Sequence, residues 1–341
     1  MAELAVEILR SDRVESKAYA DVAVVDSLGH VVAWMGDPYT ETYWRSSAKP
    51  FQAMPVILSG AAERFAFDGP DLAIVAASHG GEPRHLELVA KLLEKISAKA
   101  DDLVCGVDWP VSASAHDRLT KAGQTPTALH NNCSGKHTGM LAVARQLQVD
   151  PAGYHEITHP VQRAIFDNIR RMTGVASNAE LITAIDGCGV PTFYLPLARM
   201  AMAYAQLADP RGLEMESAAA ASVVAEAMRR YPELISGEGR LELRLAEASG
   251  YRFLLKGGAE AVFCLGIPER GWGIAVKVAD GNPRTLAPAV IAVLAELELL
   301  DHNALDALHS LSLPVLRNRA GLAVGSMRPV LRLHRGRLVM G

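Results

Sequence analysis

The sequence predicts an α/β protein of the α+β kind, with strands from both ends of the chain sharing one mainly antiparallel sheet and a helical region between them. Three observations predict it. The first 35 residues are β-rich, the stretch from about 83 to 240 carries apolar residues near helical spacing, and β-rich runs return after Tyr251. In order, ADVAVVDS and HVVAWMG are strands joined at Leu28-Gly29, a hairpin signal. In YWRSSAKPFQAMPVILSG, Pro50 suits the first turn of a helix, while Pro55 predicts a kink or early stop. Asp71–Ala77 reads as a short buried strand ending in the turn SHGGEP, and residues 83–98 as an amphipathic helix. Gly135–Leu147, His159–Met172 and Gly212–Arg230 read as helices. YRFLLKGG, EAVFCLGI and GWGIAVKVA read as strands, 286–300 as a helix, and LRLHRGRLVM as a final hairpin around Arg335-Gly336. Without repeats or long linkers, residues 1–341 read as one compact unit with a helical subregion.

Bulk properties exclude several classes. Half of the 341 residues are apolar, 21% are charged, and the net charge is −4, which gives no basis for nucleic-acid or anionic-membrane binding. The longest apolar stretch, Leu286–Leu300, is broken by Pro288, Glu296 and Glu298, short of the ~20 apolar residues of a membrane span. The N-terminus mixes acids and bases from residue 3 and lacks a signal pattern, so a cytoplasmic location is expected. Cys105, Cys133, Cys188 and Cys264 are too few for a disulfide scaffold and read as free thiols, metal ligands or core residues.

Ser46-Ser47-Ala48-Lys49 is a Ser-x-x-Lys at the start of a helix, where positions three apart share a face and the amine can reach the hydroxyl. Serine needs a base to act as a nucleophile, and lysine, with an ordinary pKa of ~10.4, needs burial or a neighbouring cation to become one. The motif alone is not specific; a capping serine beside a surface lysine has the same spelling. Lys256-Gly257-Gly258 ends a strand-like run where paired glycines permit close approach of a ligand, and it is similar to the Lys-Thr/Ser-Gly strand of penicillin-recognising enzymes. Ser78, at the end of the Asp71–Ala77 run, is the third element; the alternative is a turn capping the helix from Pro83.

Two further segments carry thiols in polar, turn-rich settings: His130–His137 (HNNCSGKH) and Asp186–Pro191 (DGCGVP). Cys133 and Lys136 are one helical turn apart, and Cys188 arrives from another loop. Two thiolates, a nitrogen and a water would satisfy tetrahedral zinc. His137 is the more usual nitrogen donor, and unliganded thiols beside a capping Asn131 or Asn132 are the alternative. Cys105 and Cys264 lie in apolar runs and read as core.

RSSAKPFQ, SHGGEP, HNNCSGKHTGML, DGCGVP and LLKGGAEAVF, in this order, resemble the L-asparaginase family of the Rhizobium etli type, over nearly the whole chain. The resemblance implies a fold like serine β-lactamases and glutaminases, and conversion of L-asparagine to L-aspartate and ammonia by two-step acyl transfer. It implies two serine–lysine pairs, Ser46 with Lys49 and Ser78 with Lys256, with Ser46 as nucleophile, and a Zn2+ bound by Cys133, Lys136 and Cys188. For the substrate's α-carboxylate the candidate is Arg45, for its ammonium Asp186, and His137 is placed at substrate or metal. A homodimer is the default for such an enzyme. The competing readings are a β-lactamase- or peptidase-like serine hydrolase, a glutaminase, and a non-catalytic zinc or redox protein working through Cys133 and Cys188.

Overall fold

A computed structural model describes residues 1–177 and 181–340. The chain divides into two compact units. Met1–Ser47, Leu195–Asp209 and Arg244–Gly341 form the first; Ala48–Tyr194 and Pro210–Leu243 form the second.

The first unit is built on a nine-stranded sheet of antiparallel strand pairs. Arg13–Asp26 organises it, pairing with Glu3–Arg10, with His30–Met35 and with Trp272–Val278. N- and C-terminal strands therefore share one sheet, as the sequence predicts; Val22 lies opposite Met35 on one side and Val276 on the other. Gly29, at φ +84°, makes the turn between the second and third strands. The uninterrupted burial from Gly273 to Val278 has a cause: helix Leu197–Ala208 covers this strand. A β-carbon on Gly273 would stand 1.8 Å from the Ala201 carbonyl oxygen, so only glycine admits the helix this closely.

The end of the chain departs from expectation. LRLHRGRLVM does not fold back on itself; His334–Val339 is one strand, paired with His30–Met35 and bulged between Arg335 and Leu338. Ala323–Pro329 pairs instead with Glu3–Arg10. The Arg-Gly signal marks this bulge: the Trp34 ring lies over Gly336, 3.2 Å from where a β-carbon would be, and packs against His334. The helix expected to reach residue 300 runs Leu286–Glu296 and stops before Glu298, which takes a left-handed φ of 57°.

The second unit is mostly helical. Its longer helices are Lys49–Leu58, Pro83–Lys95, Ala113–Lys121, Ser134–Gln146, Pro160–Thr173 and Met215–Arg230. A hairpin pairs Ile182–Ile185 with Pro191–Pro196 across the Asp186–Val190 turn. Two local readings change. Asp71–Ala77 is not a strand; Gly69–Val75 is a helix, capped reciprocally by Asp68 and Asp71, with Pro70 in its first turn. Its residues from Asp71 to Val75 are all buried, and a short apolar run buried on every side has no period to separate helix from strand. Pro55 does not stop the helix from Lys49. It removes the N–H that would reach the Phe51 carbonyl, and the Asn168 side-chain amide donates there instead, at 2.8 Å.

Helix Ser134–Gln146 lies unusually close to helix Gly69–Val75. A β-carbon on Gly135 would fall 2.2 Å from the Ile74 carbonyl oxygen, and one on Gly139 would fall 2.5 Å from a Val75 methyl. The two glycines, four apart on one helix face, let the backbones meet.

Candidate active site

In the second unit, helix Lys49–Leu58 delivers a lysine into the interior, and the segment following Val75 brings a serine to it. Lys49 is 1% exposed. Its Nζ donates to the Ala77 carbonyl at 2.7 Å and lies 2.8 Å from Ser78 Oγ, with the Asn132 carbonyl at 3.2 Å and Asn132 Oδ1 at 3.4 Å. Burial pulls the Lys49 amine below the ordinary lysine range, and the nearby Lys136 ammonium adds to the effect, while the Cys133 and Cys188 sulfurs oppose it. Ser78 is itself anchored, its N–H donating to the Ile235 carbonyl at 2.8 Å. A neutral Lys49 has two N–H groups for the carbonyls and one lone pair for a hydroxyl proton, which is the arrangement a serine-activating base requires. Ser78 thus has Lys49 as one of its neighbours.

The thiol segments converge in the same unit. Lys136 Nζ lies 3.2 Å from Cys188 Sγ, and the Cys133 and Cys188 thiols are hydrogen-bonded to each other. That bond holds one proton between two sulfurs: Cys188 is drawn down by it and by the adjacent Lys136, while Cys133 is pushed up by it and by burial. Burial alone would lower Lys136, but the two sulfurs and Asp186 hold it above the ordinary lysine range. Asp186 itself heads the turn, with its N–H on the Val190 carbonyl and its Oδ1 on the Gly187 N–H. The donor set fits zinc: two sulfurs and one amine converge and leave a fourth position for water. Among the described residues no three His, Cys, Asp or Glu side chains converge to hold a metal ion.

His137 lies beside that set. Tyr154 Oη accepts from the Val104 N–H at 3.1 Å and lies 2.7 Å from His137 Nδ1. His137 Nε2 is buried and has no partner among the described residues. Burial, with Lys136 beside it, drops the imidazole to about 3, so the ring is neutral. Sequence reasoning missed Tyr154, and also His79, whose Nδ1 accepts the Gly81 N–H while its Nε2 meets Ser134 Oγ at 2.8 Å. Neither asparagine caps the helix, whose N-cap position is Cys133; Asn131 makes a turn before it, its Oδ1 accepting the Cys133 N–H and its Nδ2 donating to the Cys105 carbonyl.

In the first unit, Arg45 and Ser46 are half-buried in the short 3-10 turn Arg45–Ala48, whose direct continuation in the chain is the helix from Lys49. Arg45 has a φ of 52°, a left-handed conformation that costs a non-glycine residue about 1 kcal/mol or more and is concentrated at functional sites. Ser47 is fully buried and donates to the Lys256 carbonyl at 3.0 Å, while Tyr204 Oη donates to the Ser47 carbonyl at 2.7 Å. Lys256 is wholly buried, its Nζ donating to the Gly257 carbonyl. Gly258 lets the strand pass the 44–47 backbone, since a β-carbon there would lie 3.1 Å from the Trp44 carbonyl and from Ser47 Oγ. What the paired glycines admit is thus this chain's own turn. Cys105 and Cys264 are buried, and burial pushes each thiol up to about 12, consistent with core positions.

A model of the L-asparaginase II family matches residues 6–329. The chain belongs to this family. As an L-asparaginase II family member it is an amidohydrolase, which disfavours the lactamase, peptidase and non-catalytic readings. No curated protein matches the sequence. Three of the solved structures to which the chain is similar are the following. A β-lactamase from Mycobacterium bovis shows 15% identity and a TM-score of 0.43, over 81% of this chain and 94% of that one. Simvastatin synthase from Aspergillus terreus shows 12% identity and a TM-score of 0.39, over 81% and 91%. A putative β-lactamase from Bacteroides dorei shows 11% and 0.42, over 85% and 92%. No helix among the described residues of this asparaginase II member is long and apolar enough to cross a membrane.

Proposed function

We propose that this amidohydrolase converts L-asparagine to L-aspartate and ammonia, with Ser46 as nucleophile and Lys49 as its base. The observation that carries the reading is a buried lysine amine three residues after Ser46, lowered by burial and set against the Ser78 hydroxyl, in a chain of the L-asparaginase II family. Ser46 Oγ forms the bond to the side-chain amide carbon as its proton passes to neutral Lys49. The tetrahedral oxyanion is met by N–H donors at the start of the Ser46 turn. The C–N bond breaks with a proton returned to nitrogen, ammonia leaves, and water cleaves the aspartyl ester by the same proton route. Ser78 holds Lys49 in place, and Lys256 keeps positive charge at the site. Arg45 takes the α-carboxylate, Asp186 the α-ammonium, and His137 contacts the substrate.

Cys133, Lys136 and Cys188 would hold a zinc ion, whose contribution when bound is to position substrate and water. Cys133→Ala and Cys188→Ala are each expected to reduce zinc content to below about a tenth of native. Zinc uptake should weaken as pH falls, because thiols and amine must shed protons to bind it. Metal analysis across a pH series checks both statements; full zinc in either variant would remove the sulfurs from the ligand set. A homodimer in the cytoplasm is the proposed setting, supported by the four free cysteines.

The decisive assay is ammonia release from L-asparagine, with L-glutamine and a chromogenic β-lactam in parallel. Asparagine turnover well above glutamine is expected, although one methylene alone gives only about 10–200-fold discrimination. Turnover of glutamine alone would replace the substrate, and silence toward both amides in folded, zinc-loaded protein would overturn the proposal.

A further inference from the structure

The SHGGEP segment carries Ser78 and continues to a glutamate that the serine–lysine chemistry leaves without a task. Glu82 is 4% exposed, and a buried carboxylate is costly unless its charge and its oxygens are engaged. Here the two oxygens do different work. Oε2 accepts from the exposed Arg84 at 2.6 Å and 2.9 Å, which pairs the charge. Oε1 accepts the backbone N–H of Glu238 at 2.8 Å. That bond leaves no space for a side chain beside it. A β-carbon on Gly237 would stand 2.5 Å from Oε1, and Gly237 has a φ of 122°. His85 takes a second hold on the same stretch. Its Nδ1 accepts the Glu82 N–H at 3.1 Å, so the ring proton is on Nε2, which donates to the Glu233 carbonyl at 3.0 Å. Between the two holds lies Ile235, whose carbonyl accepts the Ser78 N–H at 2.8 Å. The Ser236 hydroxyl next to it is buried and has no partner among the described residues. The stretch Glu233–Glu238 is thus gripped on either side of the bond by which it fixes Ser78, whose Oγ lies 2.8 Å from Lys49 Nζ. All of these residues belong to the second unit.

We propose that Glu82 is a positioning residue: through the Glu238 N–H it holds the Glu233–Glu238 stretch, and through the Ile235 carbonyl that stretch sets the Ser78 hydroxyl against Lys49. The inference rests on the proposed asparaginase reading, in which Lys49 takes and returns the reaction's proton. A hydroxyl displaced from the base disturbs proton transfer and leaves substrate affinity alone. The signature is therefore a fall in kcat with KM little changed.

The test is a double-mutant cycle in the full chain. Glu82→Gln and Glu82→Leu are made alone and combined with Ser78→Ala, with kcat and KM for L-asparagine and thermal unfolding measured on each. Glutamine has the shape of glutamate, but its single oxygen cannot serve both the Glu238 N–H and Arg84. Glutamine is expected to lower kcat about three- to tenfold and leucine about 10–10²-fold, with native-like KM. In the Ser78→Ala background neither should lower kcat by more than about twofold further, because the hydroxyl they position is gone. A glutamate that only supports the fold would cost the same in both backgrounds. Equal losses with and without Ser78, a kcat unchanged by glutamine, or a rise in KM alone would overturn the proposal. Where leucine unfolds the chain, the isosteric glutamine carries the cycle. A native protein that does not hydrolyse L-asparagine overturns the asparaginase reading and this inference together, whereas an active native enzyme whose variants fail the cycle overturns only the inference.

Discussion

Alanine at Ser46 is expected to reduce kcat for L-asparagine by about a million-fold, to the level of a blank. Lys49→Met should cost nearly as much, and the double variant no more than either alone, because a nucleophile and its base act as one unit. Ser78→Ala should be milder, about 10²-fold, since it removes the hydroxyl 2.8 Å from Lys49 but neither the attacking oxygen nor the base. A continuous ammonia assay on the purified variants orders the effects. The order matters because the hydroxyl observed beside Lys49 is that of Ser78. Should Ser78→Ala be the silent variant and Ser46→Ala the leaky one, the nucleophile is Ser78 and the Ser-x-x-Lys spacing has been misread.

The second large effect is on stability. Gly135→Ala should cost about 3 kcal/mol or more, at the upper end for overpacked sites, because the added carbon would lie 2.2 Å from the Ile74 carbonyl oxygen and 2.9 Å from its carbon. Backbone cannot rotate out of the way, so helix Ser134–Gln146 has to move. Gly139→Ala meets a Val75 methyl at 2.5 Å, a side chain that can turn, and should cost about half as much. Urea unfolding of both variants measures the difference. Zinc content should fall with Gly135→Ala, since Cys133 and Lys136 flank the residue that must shift. Equal stability of Gly135→Ala and native protein would mean that the two helices are not in backbone contact.

Legibility of this chain followed how local the physics was. The hairpin at Gly29, the helix from Lys49 and the terminal strands sharing one sheet follow from period and turn chemistry, and all could be read. Gly69–Val75 could not, because complete burial erases the period. Pro55 misled for a different reason: its cost is met by Asn168, whose side chain arrives from a distant segment. The same holds within the site. The convergence of Lys136 and Cys188 was implied by the family resemblance, whereas Tyr154, 2.7 Å from His137 Nδ1, has no sequence signal beyond being a tyrosine. Lys49 beside Ser78 joins two motifs that were both visible in the sequence, and only the fold brings them within a hydrogen bond of each other.

The repair of Pro55 bears on when this chain can become an enzyme. Phe51 and Asn168 are 117 residues apart, so the helix that carries Lys49 waits for its missing hydrogen bond until a far later stretch has been synthesised. A ten-residue helix with an internal proline has little persistence by itself. Its completion is an event of long-range closure, slower than any helix–coil step. A nascent chain released short of Pro160–Thr173 would carry the whole Ser-x-x-Lys motif and still lack a settled base. In this protein the lysine proposed as the base is encoded early and finished late.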